Sequence, residues 1–233
     1  MKKIITITTD YGDQFATSQL KAVIFGLGFE GEVIENHDVK KFSTVEGAYA
    51  IWQISKHCPQ NTIHVGVIDP EVGSKRKGLI IKTKKFWFVG PDNGHLWHAA
   101  NKNKIFKVWK INEAKFGKVR KTFHGRDIFV KAAVWISQGK KPEELGCHEI
   151  NKENIKRLNF NDGQIVHIDN YGNIKIWGKK TFGLPLVKTF SDVKIGKPLI
   201  LNGSSDTLEV AINQGSAEEY FGLKLGQVIN KLE

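Results

Sequence analysis

The sequence predicts an α/β protein. A sandwich-like N-terminal α/β domain with a central, mostly parallel sheet (residues 1–155) precedes a smaller, barrel-like all-β domain (residues 156–233). Three observations predict it. Strand-type, acidic-loop and helix-type segments follow one another from the N-terminus, the pattern of a layered α/β sheet. After about residue 156 the texture changes to short β-rich runs separated by Gly, Asn and Asp. The 233 residues suit one large domain or two small ones at about 150 residues per domain.

Residues 3–9 (KIITITT) alternate β-branched residues and end at an Asp-Tyr-Gly turn, which reads as a strand entering a loop. Residues 14–27 then place apolar side chains at helical spacing. A second helix is expected over 44–57, with Pro59 just past its end. Strands follow at 62–68, 78–83 and 86–90, the last two joined by a lysine turn. Residues 127–138 read as a third helix stopped by Gly139. The polar stretch 146–157 (GCHEINKENIKR) marks the boundary, and GQIVHID, NIKIWG, KPLILNG and TLEVAIN supply the later strands.

Composition narrows the function classes. Hydrophobic residues at 40% and charged residues at 25% describe a globular chain and exclude disordered or collagen-like classes. Cys58 and Cys147 are far apart and lack CxxC spacing, which argues against zinc and a disulfide scaffold and favours a reducing compartment. The apolar run after Lys2-Lys3 is too short and polar for a signal h-region, and no window approaches the roughly 20 apolar residues of a membrane span. A cytoplasmic protein without membrane contact is expected. The net charge of +11 raises a competing reading, nucleic-acid binding. Against it, the basic residues are scattered, with no cluster denser than GSKRKG (73–78) or KTKK (82–85), and helix-turn-helix, RNP and zinc patterns are absent.

Polar residues concentrate where strands end: TTDYGD (8–13), VIDPEVGSKRK (67–77), PDNG (91–94), TFHGRDIF (122–129) and HIDNYGN (167–173). Ligands of open α/β sheets sit outside the carboxyl ends of strands, so Asp10, Asp69 and Asp92 or Asn93 are placed to face one cleft. Each also has a bland role: turn former, helix cap or ion pair, as for Asp69 with Arg76 across a glycine-containing loop. His124, beside Gly125 and ahead of a helix, adds a titratable group. HExxH, EF-hand, GxSxG, P-loop and GxGxxG patterns are all missing, which removes the corresponding metal, serine-hydrolase and nucleotide-cofactor classes.

Taken in order, TTDYG, FSTVEGA, TIHVGVIDPEVGSKR, VGPDNG, TFHGRDIF, the IDNYGN run and the terminal LEVAINQGSA resemble the S-adenosylmethionine hydroxide adenosyltransferases, over nearly the whole chain. The resemblance implies conversion of S-adenosylmethionine and water to adenosine and methionine, with no metal or cofactor. It implies a catalytic trio at Asp69, Arg76 and His124 and a ribose-binding carboxylate at Asp10. It further implies that Asp169 and Asn173 hold the methionine amino group and the adenine edge, that Phe42 stacks on the nucleoside and that Phe123 lies opposite the reacting centre. Ser204 would contact the methionine end, and the backbone around Ile212–Gln214 the adenine. A homotrimer with sites at subunit interfaces is implied as well.

Two departures stand out. The loop DYGDQFATSQLK is one residue shorter than usual before the helix lysine, so Asp13 either fills the role of the family's further aspartate from a shifted loop or does not. Ser204-Ser205-Asp206 replaces the Ser followed by a basic residue or Gly that relatives often carry. Halogenating relatives have Tyr-Ser where this chain has His124-Gly125 and lack the Asp of VIDP, so water rather than halide is the expected nucleophile.

Overall fold

The computed structural model describes residues 2–12, 14–203 and 207–232. The chain divides into two compact units, residues 1–158 and 159–233.

The N-terminal unit is built on one seven-stranded sheet. In chain order its elements are β1 (Lys3–Thr9), α1 (Gln14–Gly26), β2 (Gly31–Asn36), α2 (Thr44–His57) and β3 (Ile63–Val67). There follow β4 (Gly78–Thr83), β5 (Trp87–Pro91), α3 (Trp97–Lys102), β6 (Ile105–Lys110), α4 (Val130–Ser137) and β7 (His148–Ile150). The strand order is β2-β1-β3-β5-β4-β6-β7. The four strands from β2 to β5 are parallel, and β4, β6 and β7 are added antiparallel.

Strand alternation decides which face each helix covers. Ile5 and Ile7 of β1 and Ile63, Val65 and Val67 of β3 join one buried cluster with Leu20 and Ile24 of α1 and Ala133 and Val134 of α4. The intervening positions face the other way. Thr6 is hydrogen-bonded to His64, and a Cβ at Gly66 would strike Ile51 of α2, so α2 packs on the opposite face. Burying a Leu or Ile side chain contributes about 1.5–3 kcal/mol, so these two layers supply most of the unit's cohesion.

The helix boundaries have local causes. The Ser43 hydroxyl accepts from the Glu46 backbone N–H and caps α2, while the Glu46 carboxylate accepts from the Lys40 N–H. The helix expected over 127–138 is divided. Gly125–Phe129 forms a π-turn, closed by the Val130 N–H donating to the Gly125 carbonyl, and α4 begins only at Val130.

β1 pairs with β2 on one side and β3 on the other, so the chain reverses direction across the sheet at β1. The crevice outside the carboxyl ends of β1 and β3 is the position where such sheets bind ligands. Asp10 follows β1 directly, and Asp69 lies two residues past the end of β3.

The C-terminal unit holds β8 (Ile165–Ile168), β9 (Ile174–Trp177), β10 (Leu186–Val187), β11 (Pro198–Asn202), β12 (Thr207–Ile212) and the short helix α5 (Ala217–Phe221). Its five-stranded sheet runs β10-β11-β12-β9-β8 around a core of Ile165, Ile174, Ile176, Ile200, Leu208 and Val210. Among the described residues no helix is long and apolar enough to cross a membrane. Both cysteines are free thiols.

Candidate active site

Asp69, Arg76 and His124 form one buried group in the N-terminal unit. Arg76 donates through Nε to Asp69 Oδ2 at 2.9 Å and Oδ1 at 3.2 Å, and through Nη2 to Asp69 Oδ2 at 2.6 Å. The same Nη2 donates to His124 Nδ1 at 2.7 Å. The side chains of Arg76 and Asp69 are only 2% and 5% exposed, so both charges are desolvated and depend on each other. The guanidinium also lies 5.4 Å from the Phe129 ring, over its face.

The bond to Nδ1 fixes the histidine's chemistry. An arginine nitrogen can only donate, so Nδ1 carries a lone pair and the ring proton of the neutral imidazole is on Nε2. Burial pushes the His124 imidazole below its ordinary value; the nearby Glu113 carboxylate opposes this, the Arg76 charge adds to it, and Asp69 and Asp127 oppose it more weakly. The ring is therefore neutral at pH 7, an Nε2–H donor held by an arginine.

The π-turn brings Gly125 against Tyr11. A Cβ at residue 125 would lie 2.7 Å from the Tyr11 Oη and 3.0 Å from a Val67 methyl. Burial, together with the Asp10 and Asp69 carboxylates, raises the Tyr11 phenol, so its hydroxyl remains protonated. Gly125→Ala is expected to destabilise the fold by about 1–3 kcal/mol through overpacking, with partial recovery in Gly125→Ala/Tyr11→Phe, measured by denaturant unfolding. Phe123 stands edge-on to Tyr11 at 5.9 Å, and the Arg126 guanidinium covers its ring at 4.5 Å.

Asp10 and Phe42 are joined through a backbone contact. Asp10 Oδ2 accepts the Phe42 N–H at 2.8 Å, and Phe42 has φ +65°, an uncommon conformation for a non-glycine residue. The carboxylate thus holds a turn that leaves the Phe42 ring 69% exposed and free to cover a ligand. Asp10→Ala removes that anchor, so the turn at Phe42 is expected to lose stability, by up to about 1.5–3 kcal/mol for a hydrogen bond to a charged group. Denaturant unfolding checks it, and an unchanged stability contradicts it.

Asn93 and Asp92 serve the frame. The Asn93 amide donates to the Ile68 carbonyl at 2.6 Å, holding the chain one residue before Asp69, and the buried His95 ring hydrogen-bonds Asn93 Oδ1. Asp92 accepts the Lys156 N–H at 2.7 Å.

In the C-terminal unit Asp169 closes the β8–β9 hairpin. Its Oδ1 accepts the N–H groups of Tyr171 and Asn173 at 2.9 and 3.0 Å, and its Oδ2 accepts the Asn173 amide at 3.1 Å. Asp169, Asn173, Ile212 and Gln214 line one groove of about 640 Å³ with Tyr171, Phe190 and Gly215. The sequence carries no signal for Phe190. Asp13 and Ser204 lie outside the described residues.

Glu113 escapes motif reading because it is a single carboxylate in an otherwise ordinary turn (Glu113–Phe116). It reaches Arg76 Nη1 at 3.3 Å and comes within 3.5 Å of His124 Nδ1.

A sheet that delivers carboxylates to its switch-point crevice, beside a buried carboxylate and imidazole joined through one guanidinium, defines an α/β protein with an enzyme-type site at its strand ends. The fold is similar to solved structures of an uncharacterized conserved protein from Thermotoga maritima and a conserved hypothetical protein from Thermus thermophilus. The first has TM-score 0.85 and 27% identity over 95% of this chain and 97% of that one. The second has TM-score 0.81 and 26% identity over 97% of both. The models of the SAM hydroxide adenosyltransferase N-terminal and C-terminal domains match residues 5–146 and 163–230, and the chain belongs to this family.

Relatives named (R)-S-adenosyl-L-methionine hydrolase are found in several organisms. That of Methanocaldococcus jannaschii is 35% identical over 73% of this chain, and the match spans 65% of the relative's length. That of Thermus thermophilus is 30% identical over 79% of this chain and 81% of the relative. That of Salinispora tropica is 29% identical over 95% of each.

Proposed function

We propose that this chain hydrolyses S-adenosyl-L-methionine to adenosine and L-methionine. Family membership and the hydrolase relatives support the reaction. The observation that carries the site assignment is the single nitrogen, Arg76 Nη2, bonded to both Asp69 at 2.6 Å and His124 at 2.7 Å.

The substrate brings its own leaving group. Its sulfonium makes C5′ electrophilic, and methionine departs as a neutral thioether that needs no acid. Only the nucleophile needs help: one water held in line with the C5′–S bond, largely desolvated and stripped of a proton. A neutral His124 with its proton on Nε2 is a donor, so of the trio Asp69 is the group able to accept that proton. As the water oxygen bonds to C5′, the C5′–S electron pair passes to sulfur. Asp69 takes the proton and later releases it to solvent, while Arg76 and the His124 Nε2–H stabilise the hydroxide character that develops.

Asp10 is assigned to the ribose hydroxyls, Phe42 to the nucleoside face and Phe123 to the neighbourhood of the reacting carbon. Asp169, Asn173 and the Ile212–Gln214 backbone are assigned to the amino-acid and adenine ends, with Asp13 and Ser204 as further methionine contacts. A homotrimer in the cytoplasm, without nucleic acid, completes the proposal; light scattering is expected to give three times the 26.2 kDa chain mass.

Chromatography of the protein incubated with S-adenosylmethionine tests the reaction. Adenosine and methionine in equal amounts are expected, unchanged when chloride or fluoride is added. A 5′-halonucleoside as main product overturns the choice of water.

A further inference from the structure

No step above uses Glu113. It begins the turn that follows β6 and approaches Arg76 at Nη1, while Asp69 and His124 share Nη2. The guanidinium is a rigid plane, so fixing Nη1 and Nη2 to different partners leaves it no freedom to swing about its long stem. Glu113 is also the solvent-facing member of the group: its side chain is 39% exposed, against 2% for Arg76, and it borders a cavity of about 460 Å³ lined by Ser74, Lys75, Lys77, Lys110 and His148.

We infer that Glu113 is a positioning residue of this site, holding the outer end of the Arg76 guanidinium so that Nη2 stays on Asp69 and His124. The kinetic part of this inference rests on the hydrolytic reading above; the part concerning His124 does not.

Charged groups face His124 from three directions. Arg76 and Asp69 come from the segment between β3 and β4, Glu113 from the turn after β6, and Asp127 from the π-turn; the protonated Tyr11 phenol stands beside Gly125. Among the carboxylates Glu113 acts most strongly in favour of the protonated ring, opposing burial. Replacing it with a neutral amide removes that support, so the His124 midpoint moves further down, by about one pH unit for a partly exposed carboxylate at this distance. Because it touches Arg76 and His124 and acts through them, its loss predicts a fall in kcat with little change in KM.

The test uses the full-length protein and two readouts. Histidine side-chain 15N NMR titrations compare the wild type with Glu113→Gln and Glu113→Asp, and kcat is measured against pH for the same proteins with S-adenosylmethionine. The expected result is a His124 midpoint lowered by about one pH unit in Glu113→Gln and lowered less in Glu113→Asp. The acidic limb of kcat should move down in parallel, with kcat reduced about tenfold at its plateau and KM within twofold of the wild type. A His124 midpoint, or a plateau kcat, that is the same in Glu113→Gln and wild type overturns the inference. If the wild type shows no turnover, the hydrolytic reading fails, and the NMR titration still decides the role of Glu113.

Discussion

Replacing Asp69 with Asn is expected to lower turnover by about 10²–10⁴-fold while leaving adenosine affinity within a few-fold of the wild type. Asn keeps an oxygen to accept from Arg76 but cannot accept a proton at neutral pH, so it isolates the base from the structural partner. Asp69→Ala removes both functions. It abolishes turnover and also leaves the Arg76 charge, 2% exposed, without its closest counter-ion, an imbalance that costs about 3–5 kcal/mol when one partner of a buried pair is deleted. Asn is neutral too, so both variants lose the counter-ion of Arg76; a clear loss of Tm in each, larger in the Ala variant because it also lacks the acceptor oxygen, therefore accompanies similar losses of activity. Full turnover in Asp69→Asn would remove Asp69 from the chemistry.

His124 carries the second large effect. His124→Ala is expected to abolish turnover with nucleoside binding retained. His124→Asn separates the ring's two roles, because its side-chain oxygen replaces Nδ1 as acceptor for Arg76 while no donor replaces Nε2–H. A fold as stable as the wild type with kcat down about 10²-fold is the expected outcome, read by thermal melts and initial rates. The same reasoning sets the pH dependence. A protonated ring has a hydrogen on Nδ1, which collides with the Arg76 Nη2–H only 2.7 Å away. The imidazole is held below its ordinary value, chiefly by burial, so activity persists below pH 6.5 and is lost as pH falls through the depressed value. A rate that falls as pH rises from 5 to 7 has the wrong sign for this account.

Much of the framework is legible in the sequence because its signals are local. Ser43, the helical apolar spacing and Pro59 place α2 at Thr44–His57 without reference to anything distant. The β-branched alternation of residues 3–9 places β1, and the acidic residues after β1 and β3 point to the crevice at the switch in strand direction. Other elements depend on partners far away in sequence. β2 (GEVIEN) sets Val33 and Ile34 side by side between Glu32 and Glu35, without period-two alternation, and becomes a strand by pairing along β1, Ile5 opposite Val33. β6 (IFKVWK) is defined by its antiparallel pairing with β4 and β7, and α3 is only six residues long.

The site divides the same way. Asp69, Arg76 and His124 can be named from motif resemblance, but the sharing of one arginine nitrogen by a carboxylate and an imidazole, and the tautomer that follows, are properties of folded geometry. The π-turn arises where Gly125 must fit against Tyr11 and Val67, a constraint that the run GRDIF does not display. Glu113 belongs to no pattern, and only the fold brings it, 37 residues on in sequence, to Arg76. The charge of +11, the source of the nucleic-acid reading, has no part in the proposed chemistry.

The most direct test of the proposal is hydrolysis in water enriched in oxygen-18, with mass spectrometry of both products. Attack on C5′ predicts one labelled oxygen in adenosine, at the 5′ position, and none in methionine beyond a control incubated without enzyme. Unlabelled adenosine, or a nucleoside still carrying sulfur at C5′, would contradict it.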